Sequence, residues 1–260
     1  MPLSETTNPP QNPMSMAGRR ILVTGANQGI GRAVADLAIS LGARVAAVDR
    51  DIAGLTCTDQ LVPIACDVSN AGDVEAAVAV AIERLGGIDG LVNNAGISRP
   101  AMADRMTLEA WQAVIDVNLT GSFLMLQAVG QHMVAAAKEG LVAERAIVNI
   151  ASDAGRRGTV GQINYGAAKA GTIGLTMSAA REWARFGIRV NAISFGIVET
   201  PMTETIRQDR FRDTYLQQIP LGRFAAPDEV VKPVLFLLSE AASYVTGQTL
   251  SVNGGYVISA

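Results

Sequence analysis

The sequence is poor in the residues that carry most metal and nucleophile chemistry. Its 260 residues include two cysteines and one histidine. Cys57 and Cys66 are too few for a disulfide framework. With His132 alone, Ser–His–Asp catalysis and histidine-based zinc sites are excluded as simple interpretations, and we expect His132 to be an ordinary helix residue. The sequence predicts no metal site, so the chemistry must rest on other side chains.

Positive charge in excess and long apolar runs are also missing. The formal net charge of −3 argues against nucleic acid or an anionic membrane as a main partner. No uninterrupted apolar run approaches the ~18 residues of a spanning helix, and the strongest candidate, residues 234–238, is short and lies between Lys232 and Glu240. We therefore predict a cytoplasmic protein that acts on a small molecule.

The first 18 residues lack the basic start and the apolar centre of a signal peptide. Four prolines lie there among serine, threonine, asparagine and glutamine. This composition predicts a flexible N-terminal leader over residues 1–18. One domain, residues 19–260, follows without a linker.

Beyond the leader, β-branched and aliphatic runs alternate with helical patterns. The run at residues 20–24 is followed by a glycine turn, a helical stripe ending at Gly42, and a second run at residues 43–48. Strand, helix and strand in this order form a βαβ unit with parallel strands and a right-handed crossover. The seven predicted strands are residues 20–24, 43–48, 61–66, 90–93, 146–150, 188–194 and 249–252.

This alternation predicts an α/β protein with a single doubly wound Rossmann-type domain, in which helices flank a seven-stranded parallel sheet. Only 17 residues separate Asp49 from Asp67, so we expect the second crossover helix to be a stub. A long helix, with a kink, is predicted from Thr107 to Lys138, and another carries Tyr165.

The turn after the first strand holds three glycines in seven residues. Glycine permits a tight turn and a close backbone approach, and a helix N-terminus offers free N–H groups to a pyrophosphate. The spacing differs from the usual dinucleotide fingerprint, and a tight turn alone would also explain the glycines. The predicted cofactor contacts of this turn are Gly25, Asn27, Gln28, Gly29, Ile30 and Gly31.

Acidic residues at the ends of the second and third strands favour a particular dinucleotide. Asp49 lies 18 residues past Gly31, close to where a carboxylate binds the ribose hydroxyls of NAD. NAD(H) is therefore favoured, but NADP(H) is not excluded because Arg50 offers a partner for a 2′-phosphate. Asp67 and Val68 are expected at the adenine, although turn chemistry would also explain an Asp there.

Two further sets of residues are candidates for the site: one follows the fourth predicted strand, and the other lies on a helix. Asn94, Ala95 and Gly96 follow strand four and are expected at the cofactor, with a plain turn as the alternative. Asn118 continues the apolar stripe of the helix that begins near Thr107. A buried Asn must have its polar atoms satisfied, either structurally or by a water chain to the active site.

Tyr165 and Lys169 form the central pair of the sequence. Four residues apart on a helix, a phenol and an ammonium share one face, and the positive charge favours the phenolate and lowers a Tyr pKa. Tyr165 is thus a candidate proton donor or acceptor. Ser152 lies just past strand five, where we interpret its hydroxyl as a donor to a substrate carbonyl, or alternatively as a loop or cap serine.

Together these motifs resemble the short-chain dehydrogenase/reductase family over residues 19–260. The motifs are Thr24-Gly25-x-x-x-Gly29-Ile30-Gly31, Asn93-Asn94-Ala95-Gly96, Asn118, Ser152, Tyr165-x-x-x-Lys169 and the loop at residues 196–200. The resemblance implies that Tyr165 exchanges the proton, Ser152 polarises the carbonyl, Lys169 holds the nicotinamide ribose and lowers the Tyr165 pKa, and Asn118 anchors a proton-relay water.

The resemblance also assigns a nicotinamide loop and an assembly. The predicted loop contacts are Gly196, Val198, Thr200 and Met202. Phe195 replaces a usual proline, which leaves the loop less constrained at φ. Asn253 replaces a more usual aspartate, which we expect to be a structural variation. The family implies a homotetramer in which the helix bearing Tyr165 packs against another subunit.

The leading interpretation is an NAD(H)-dependent oxidoreductase that transfers hydride to or from a secondary alcohol or ketone. The alternative within the family is an NADPH-dependent 3-oxoacyl-acyl-carrier-protein reductase. An alternative of another class is a non-catalytic dinucleotide-binding sensor. We expect the substrate to meet Ser98, Ala154, Gln162 and a mobile lid at residues 202–218.

Overall fold

In a computed structural model, which describes residues 12–141 and 143–258, seven parallel strands form one sheet in the order β3-β2-β1-β4-β5-β6-β7. This is the predicted doubly wound α/β arrangement, and it is confirmed. The strands are β1 Arg20–Thr24, β2 Arg44–Asp49, β3 Leu61–Ala65, β4 Gly90–Asn93, β5 Arg145–Ser152, β6 Ile188–Phe195 and β7 Thr249–Val252.

Helices cover both faces of the sheet. The described helices are α1 Gly29–Ser40, α2 Ala71–Leu85, α3 Leu108–Ile115, α4 Gly121–Lys138, α5 Ala154–Arg157, α6 Ile163–Trp183, α7 Glu204–Arg207, α8 Asp209–Leu216 and α9 Pro227–Leu238. Successive strand residues face opposite sides, so Ile21 and Val23 join one apolar cluster with α1 and α9, while Leu22 joins the other with α2 and α4.

The strand order reverses beside β1, between β2 and β4. In open parallel sheets ligands bind outside the carboxyl ends of the strands at such a switch point. The last residues of β1, β4, β5 and β6 are buried or half-buried and lead directly into the loops of this edge. The sheet topology thus brings the predicted motifs to one end of the molecule.

Between β2 and β3 the structure contains turns and no helix over residues 50–60. The predicted stub helix is therefore wrong for this segment. Parallel register begins at Val45 with Leu61 and ends at Asp49 with Ala65. With so few residues, the connection spans the sheet edge as a loop and leaves the end of β2 accessible.

The predicted long helix is continuous from Leu108 to Lys138 but contains one π-helical turn, Asp116–Thr120. The expected irregularity is therefore a π turn, a feature found mostly at functional sites. This is the one stretch in the described part of the chain that is long and apolar enough to cross a membrane. Its apolar side lies on the sheet, with Val114, Met125, Val129 and Met133 fully buried.

Part of the predicted leader is packed against the domain. Met16 is fully buried, its N–H donates to Leu41 O at 3.1 Å, and the Gly18 N–H donates to Gly42 O at 3.2 Å. Pro13 O accepts from Ala241 N at 3.1 Å. Residues 12–18 thus belong with the domain, because a buried methionine and main-chain hydrogen bonds hold them; residues 1–11 of the predicted leader lie outside the described residues.

Candidate active site

The turn after β1 allows close approach to its backbone because three positions need glycine. Gly25 and Gly29 have φ of +65° and +57°, in the left-handed region that favours glycine. A Cβ on Gly31 would lie 2.1 Å from Gly25 O. No larger residue fits this arrangement without moving the turn.

A hydroxyl ties this turn to the end of β4. Thr24 Oγ1 accepts from the N–H groups of Asn94 and Ala95, each at 3.0 Å. The Asn94 side chain donates to Thr24 O and Gly25 O at 3.0 and 3.1 Å. The two loops therefore form one rigid unit, and Asn94 combines the predicted cleft position with the turn role.

The N-terminus of α1 faces the same cleft and fits an anionic group. No side chain caps the helix at Gln28, and its first turn contains no acidic residue. Free N–H groups, the positive dipole end and the glycine cradle are the features that bind a pyrophosphate.

Beyond this turn, carboxylates surround the far end of the cleft. Asp49 Oδ2 accepts from Asn27 N at 2.9 Å, which holds the acid beside the glycine turn. Hydrogen bonds from the Ser69 hydroxyl and N–H, with a smaller contribution from the Arg50 charge, lower the pKa of Asp67. Arg50 is exposed and lies near Asp67, so its guanidinium is placed at the same opening as Asp49.

Ser152, Tyr165 and Lys169 converge on the opposite end of the cleft. Ser152 ends β5, opposite Phe195 of β6, and its side chain is hydrogen-bonded to that of Tyr165 on α6. Lys169 is buried one helical turn further on, with Nζ 5.7 Å from the centroid of the Tyr165 ring. The predicted catalytic trio therefore shares one site.

The ionisation of this pair differs from the sequence-based expectation. Burial raises the pKa of Tyr165, an effect that the hydrogen bond with Ser152 opposes. Burial also lowers the pKa of Lys169 to about 8. The predicted lowering of the Tyr165 pKa is wrong for this structure, because desolvation is the largest influence and Lys169 Nζ donates to Ile150 O at 2.6 Å.

Asn118 lies in the π turn, fully buried, and does not line the cleft. Its side chain donates to Ile97 O at 3.0 Å and accepts from Ile97 N at 2.8 Å. The predicted requirement for a polar partner is met by main chain, the structural alternative of the sequence analysis. Asn118 thereby anchors the segment that follows Gly96.

The loop after β6 forms the remaining wall. Phe195, which replaces the usual proline, is buried and lines the cleft. Gly196 is in close contact with Asn253, since a Cβ on Gly196 would lie 2.9 Å from Asn253 Cβ. Arg207 donates to Thr200 O at 3.1 Å, so this arginine of the lid segment stabilises the loop.

The cleft has a volume of about 320 Å³ and joins most of the predicted residues. Those that line it are Gly25, Gln28, Gly29, Ile30, Asp49, Arg50, Asp67, Val68, Asn94, Ala95, Gly96, Ser152, Tyr165, Lys169, Gly196, Val198, Thr200 and Met202. Three predicted residues do not line it, namely Asn27, Gly31 and Asn118. Gly31 packs against Gly25 inside the turn, and the side-chain oxygen of Asn27 is buried away from the cleft.

Several lining residues were not predicted from the sequence. They are Cys66, Ile97, Val117, Ile150, Ala151, Pro201 and Thr203. Most adjoin a predicted residue in the chain, so sequence proximity was the available signal. The residues expected at the substrate, Ser98, Ala154 and Gln162, do not line this cleft. His132 lies elsewhere, accepting from Ile88 N at 3.2 Å.

A glycine cradle at a helix N-terminus, joined by one cleft to a Ser–Tyr–Lys cluster, defines a dinucleotide-binding α/β protein with a proton-transfer site. A family profile described as Enoyl-(Acyl carrier protein) reductase matches residues 25–257. A 3-oxoacyl-acyl-carrier-protein reductase of Thermotoga maritima is 43% identical over 94% of this chain and 100% of its own length. A D-threitol dehydrogenase of Mycolicibacterium smegmatis is 39% identical over 93% of this chain and 94% of its own.

Solved structures agree with these sequence relationships. A 3-ketoacyl-(acyl-carrier-protein) reductase of Brucella melitensis complexed with NADH is 36% identical, with a TM-score of 0.86 over 94% of this chain and 100% of that one. The chain belongs to the short-chain dehydrogenase/reductase family, as its motifs predict. It is an oxidoreductase of this family that acts on CH–OH groups and uses a nicotinamide dinucleotide.

Proposed function

We propose that the protein reduces the 3-keto group of a 3-oxoacyl thioester to the secondary alcohol, with NADH as the hydride donor. The observation that carries this proposal is the convergence of Ser152, Tyr165 and Lys169 in a chain that is about 40% identical to several 3-oxoacyl reductases. The proposal thus favours the thioester alternative of the sequence analysis over a general alcohol dehydrogenase.

The ionisation of the site favours the reductive direction. Burial keeps Tyr165 a neutral phenol at neutral pH, and a neutral phenol can donate a proton to a ketone oxygen as negative charge develops there. Ser152, hydrogen-bonded to Tyr165, offers a second hydroxyl to the same oxygen. Lys169, whose Nζ lies 5.7 Å from the centroid of the Tyr165 ring, keeps its proton below a pH of about 8 and adds positive charge to this end of the cleft.

Bound in the cleft, a nicotinamide dinucleotide supplies the hydride. Gly25, Gly29 and the α1 N-terminus would hold its pyrophosphate, while Val198 and Thr200 would adjoin its nicotinamide. Asn118, which does not line the cleft, would position the Ile97 segment through its two hydrogen bonds. In the family mechanism it would also hold a relay water. These residues would bind and orient the cofactor without taking part in electron transfer.

Asp49 is the reason for proposing NADH rather than NADPH. Its carboxylate lines the cleft at the end of β2 and is held by Asn27 N. A carboxylate can accept hydrogen bonds from two ribose hydroxyls but repels a 2′-phosphate. Arg50 at the same opening is the group that would reduce this discrimination.

A second candidate is oxidation of a polyol. It is favoured by the similarity to D-threitol dehydrogenase and by Asp49, since NAD⁺ suits oxidation of an alcohol. The same Ser152, Tyr165 and Lys169 would then work in reverse, with Tyr165 accepting the proton. This reaction would require the phenolate and should accelerate as the pH rises.

We also infer a cytoplasmic homotetramer that packs through α6. Gly174 on this helix has no neighbour within 4 Å of a Cβ position and permits close helix approach, and Met177 on it is exposed in the single chain. Light scattering measures the state directly, and a monomeric protein would contradict the assembly while leaving the activity unaffected.

A comparison of substrates tests the proposed function. We expect NADH oxidation with acetoacetyl-coenzyme A, slower turnover with NADPH, and little NAD⁺ reduction with threitol. Clear NADPH preference would overturn the cofactor assignment. Threitol oxidation without thioester reduction would select the second candidate. NADH binding with no turnover of ketones, thioesters or polyols would point to the sensor alternative.

A further inference from the structure

The residue that follows Ser152 is a buried acid with no part in the proposed proton transfer. Asp153 is 2% exposed and does not line the cleft. Its Oδ1 accepts from Ser194 Oγ at 2.8 Å, and its Oδ2 accepts from Asn253 Nδ2 at 2.7 Å. A carboxylate is rarely so completely buried unless each oxygen has a partner, and here both do.

The side chain of Asp153 does not cap the helix that it precedes. Asp153 is the N-cap of α5, where aspartate commonly accepts from the first-turn N–H groups of its own helix. Only its main-chain oxygen does so, from Arg156 N and Arg157 N at 3.0 Å each. The carboxylate instead turns toward β6 and the end of β7, so it serves contacts between strands.

These contacts connect three strand ends behind the cleft. Asp153 N donates to Phe195 O at 3.1 Å, and Ser194 is the residue before Phe195 in β6. Asn253 directly follows β7, and its Oδ1 accepts from Gly255 N at 3.0 Å. Because Gly196 touches Asn253, the same cluster supports the start of the loop after β6.

Helix α5, which begins after Asp153, packs closely against α6, the helix that bears Tyr165. A Cβ on Gly155 would lie 2.6 Å from both Ala170 N and Lys169 C, so α5 and α6 are in main-chain contact at Lys169. A movement of Asp153 would therefore displace Ser152 on one side and the Lys169 turn on the other.

The charges around Asp153 come from its own helix and from the C-terminal segment. Arg156 donates to Ser251, and Arg157 donates to Tyr256 with its guanidinium 3.9 Å from the ring centroid. Burial raises the pKa of Asp153, whereas the two hydrogen bonds and the two arginines lower it. Asp153, Ser194 and Asn253 form the cluster that we call the strand-end clamp.

We propose that Asp153 is a positioning residue, whose carboxylate, held by Ser194 and Asn253, sets Ser152 and the Gly196 loop in register across the ends of β5, β6 and β7. The inference rests on the proposed function, because it assumes that Ser152 polarises the substrate carbonyl. Asn253, treated as a structural variation in the sequence analysis, is the donor that this buried carboxylate requires.

An exchange of the two partners tests the clamp. Asp153→Asn removes the negative charge and leaves one acceptor oxygen for the two donors, Ser194 Oγ and Asn253 Nδ2, and we expect kcat to fall about tenfold, the effect of losing one charge-assisted hydrogen bond. Asn253→Asp places two carboxylates in contact. In the double variant Asp153→Asn/Asn253→Asp the donor and the acceptor between the two residues are exchanged, but the 3.1 Å hydrogen bond from Asn253 Nδ2 to Val257 O is lost, so part of the activity should return. Asp59→Asn, an exposed acid before β3, is the matched control.

The pH dependence separates positioning from simple loss of stability. In Asn253→Asp, two carboxylates share one proton, which raises the pKa of the pair. Pairing is then complete at low pH and is lost as the pH rises through that pKa, so kcat and the thermal unfolding midpoint should both fall from about pH 5.5 to about pH 8.5. Below pH 8, where Lys169 keeps its proton, neither the wild type nor the double variant should show this fall.

Three readouts make the result decisive. We measure kcat, the NADH dissociation constant by fluorescence, and the unfolding midpoint, and Ser194→Ala provides a milder variant that removes one hydrogen bond. Wild-type kcat in Asp153→Asn, or a double variant no better than Asn253→Asp, would overturn the clamp. If the wild type does not reduce acetoacetyl-coenzyme A, the proposed function fails, while the unfolding midpoints still decide whether the clamp exists.

Discussion

The two ends of the cleft are built in different ways. At the nucleotide end the main chain forms the site: a glycine turn, an uncapped helix N-terminus and the Thr24 hydroxyl that joins two loops. At the catalytic end the site consists of side chains from β5, β6 and α6: Ser152 and Tyr165 are half-buried, and Phe195 and Lys169 are buried. The first end depends on backbone space and the second on desolvation, so the two should fail differently when altered.

Loss of the phenol should have the largest effect. Tyr165→Phe removes the proton donor but no contact of the nucleotide end, so we expect kcat to fall by a factor of about 10³. The NADH dissociation constant should stay within about threefold of the wild type. Tyr244→Phe, which alters a fully exposed tyrosine, is the control. A Tyr165→Phe enzyme with a tenth of wild-type turnover would contradict the proton-donor role.

Burial of Lys169 should be measurable as a pH-dependent stability. Because its pKa is lowered from 10.5 to about 8, the folded protein binds fewer protons than the unfolded chain between these pH values. The free energy of unfolding therefore rises with pH across this interval, by about 3 kcal/mol relative to Lys169→Met. Urea titrations of both proteins at several pH values measure this difference. Parallel stability curves would show that the ammonium is solvated.

At the nucleotide end a single methyl group should act sterically. Gly31→Ala places a Cβ 2.1 Å from Gly25 O, so the turn must open, and we expect NADH affinity to fall about a hundredfold. Gly72→Ala, at an exposed position of α2 where a Cβ would lie 3.3 Å from Asn70 Oδ1, is the matched control. Fluorescence titration measures both. Unchanged NADH affinity in Gly31→Ala would show that the turn does not hold the pyrophosphate.

The smallest effect concerns cofactor choice. Asp49→Ser removes the carboxylate that would face a 2′-phosphate, and we expect the NADPH-to-NADH ratio of kcat/KM to rise about tenfold. Asp51→Ser alters a neighbouring exposed carboxylate and should leave the ratio unchanged. Kinetics with both cofactors provide the ratio. An unchanged preference in Asp49→Ser would move the discrimination to Arg50.

The nucleotide end was largely predictable because its features are local. Gly25, Gly29 and Gly31 lie within seven residues between a strand and a helix, and Asp49 follows at a regular distance. Prediction was poorer for the loop that connects two parallel strands at residues 50–60, since turns of that length have no periodic pattern. It was also poorer for residues 12–18, because their mostly polar and small side chains gave no sign that Met16 is buried.

The catalytic end was predictable in its residues but not in its electrostatics. The spacing of Tyr165 and Lys169 places them on one helix face, which the structure contains. The spacing could not predict the pKa shifts of the two side chains, because desolvation depends on how β5 and α6 pack. Asn118 shows the same limit: its burial followed from the helical stripe, but its partner, Ile97, follows another strand.

By itself the sequence determined the parallel sheet, the glycine turn and the Tyr165–Lys169 pair, because each depends on residues close together in the chain. Only the tertiary structure decided that burial raises the Tyr165 pKa and that Asp153 meets Asn253, a hundred residues away. The physical reason is that burial and hydrogen-bond partners are properties of strands that become neighbours only in the folded sheet.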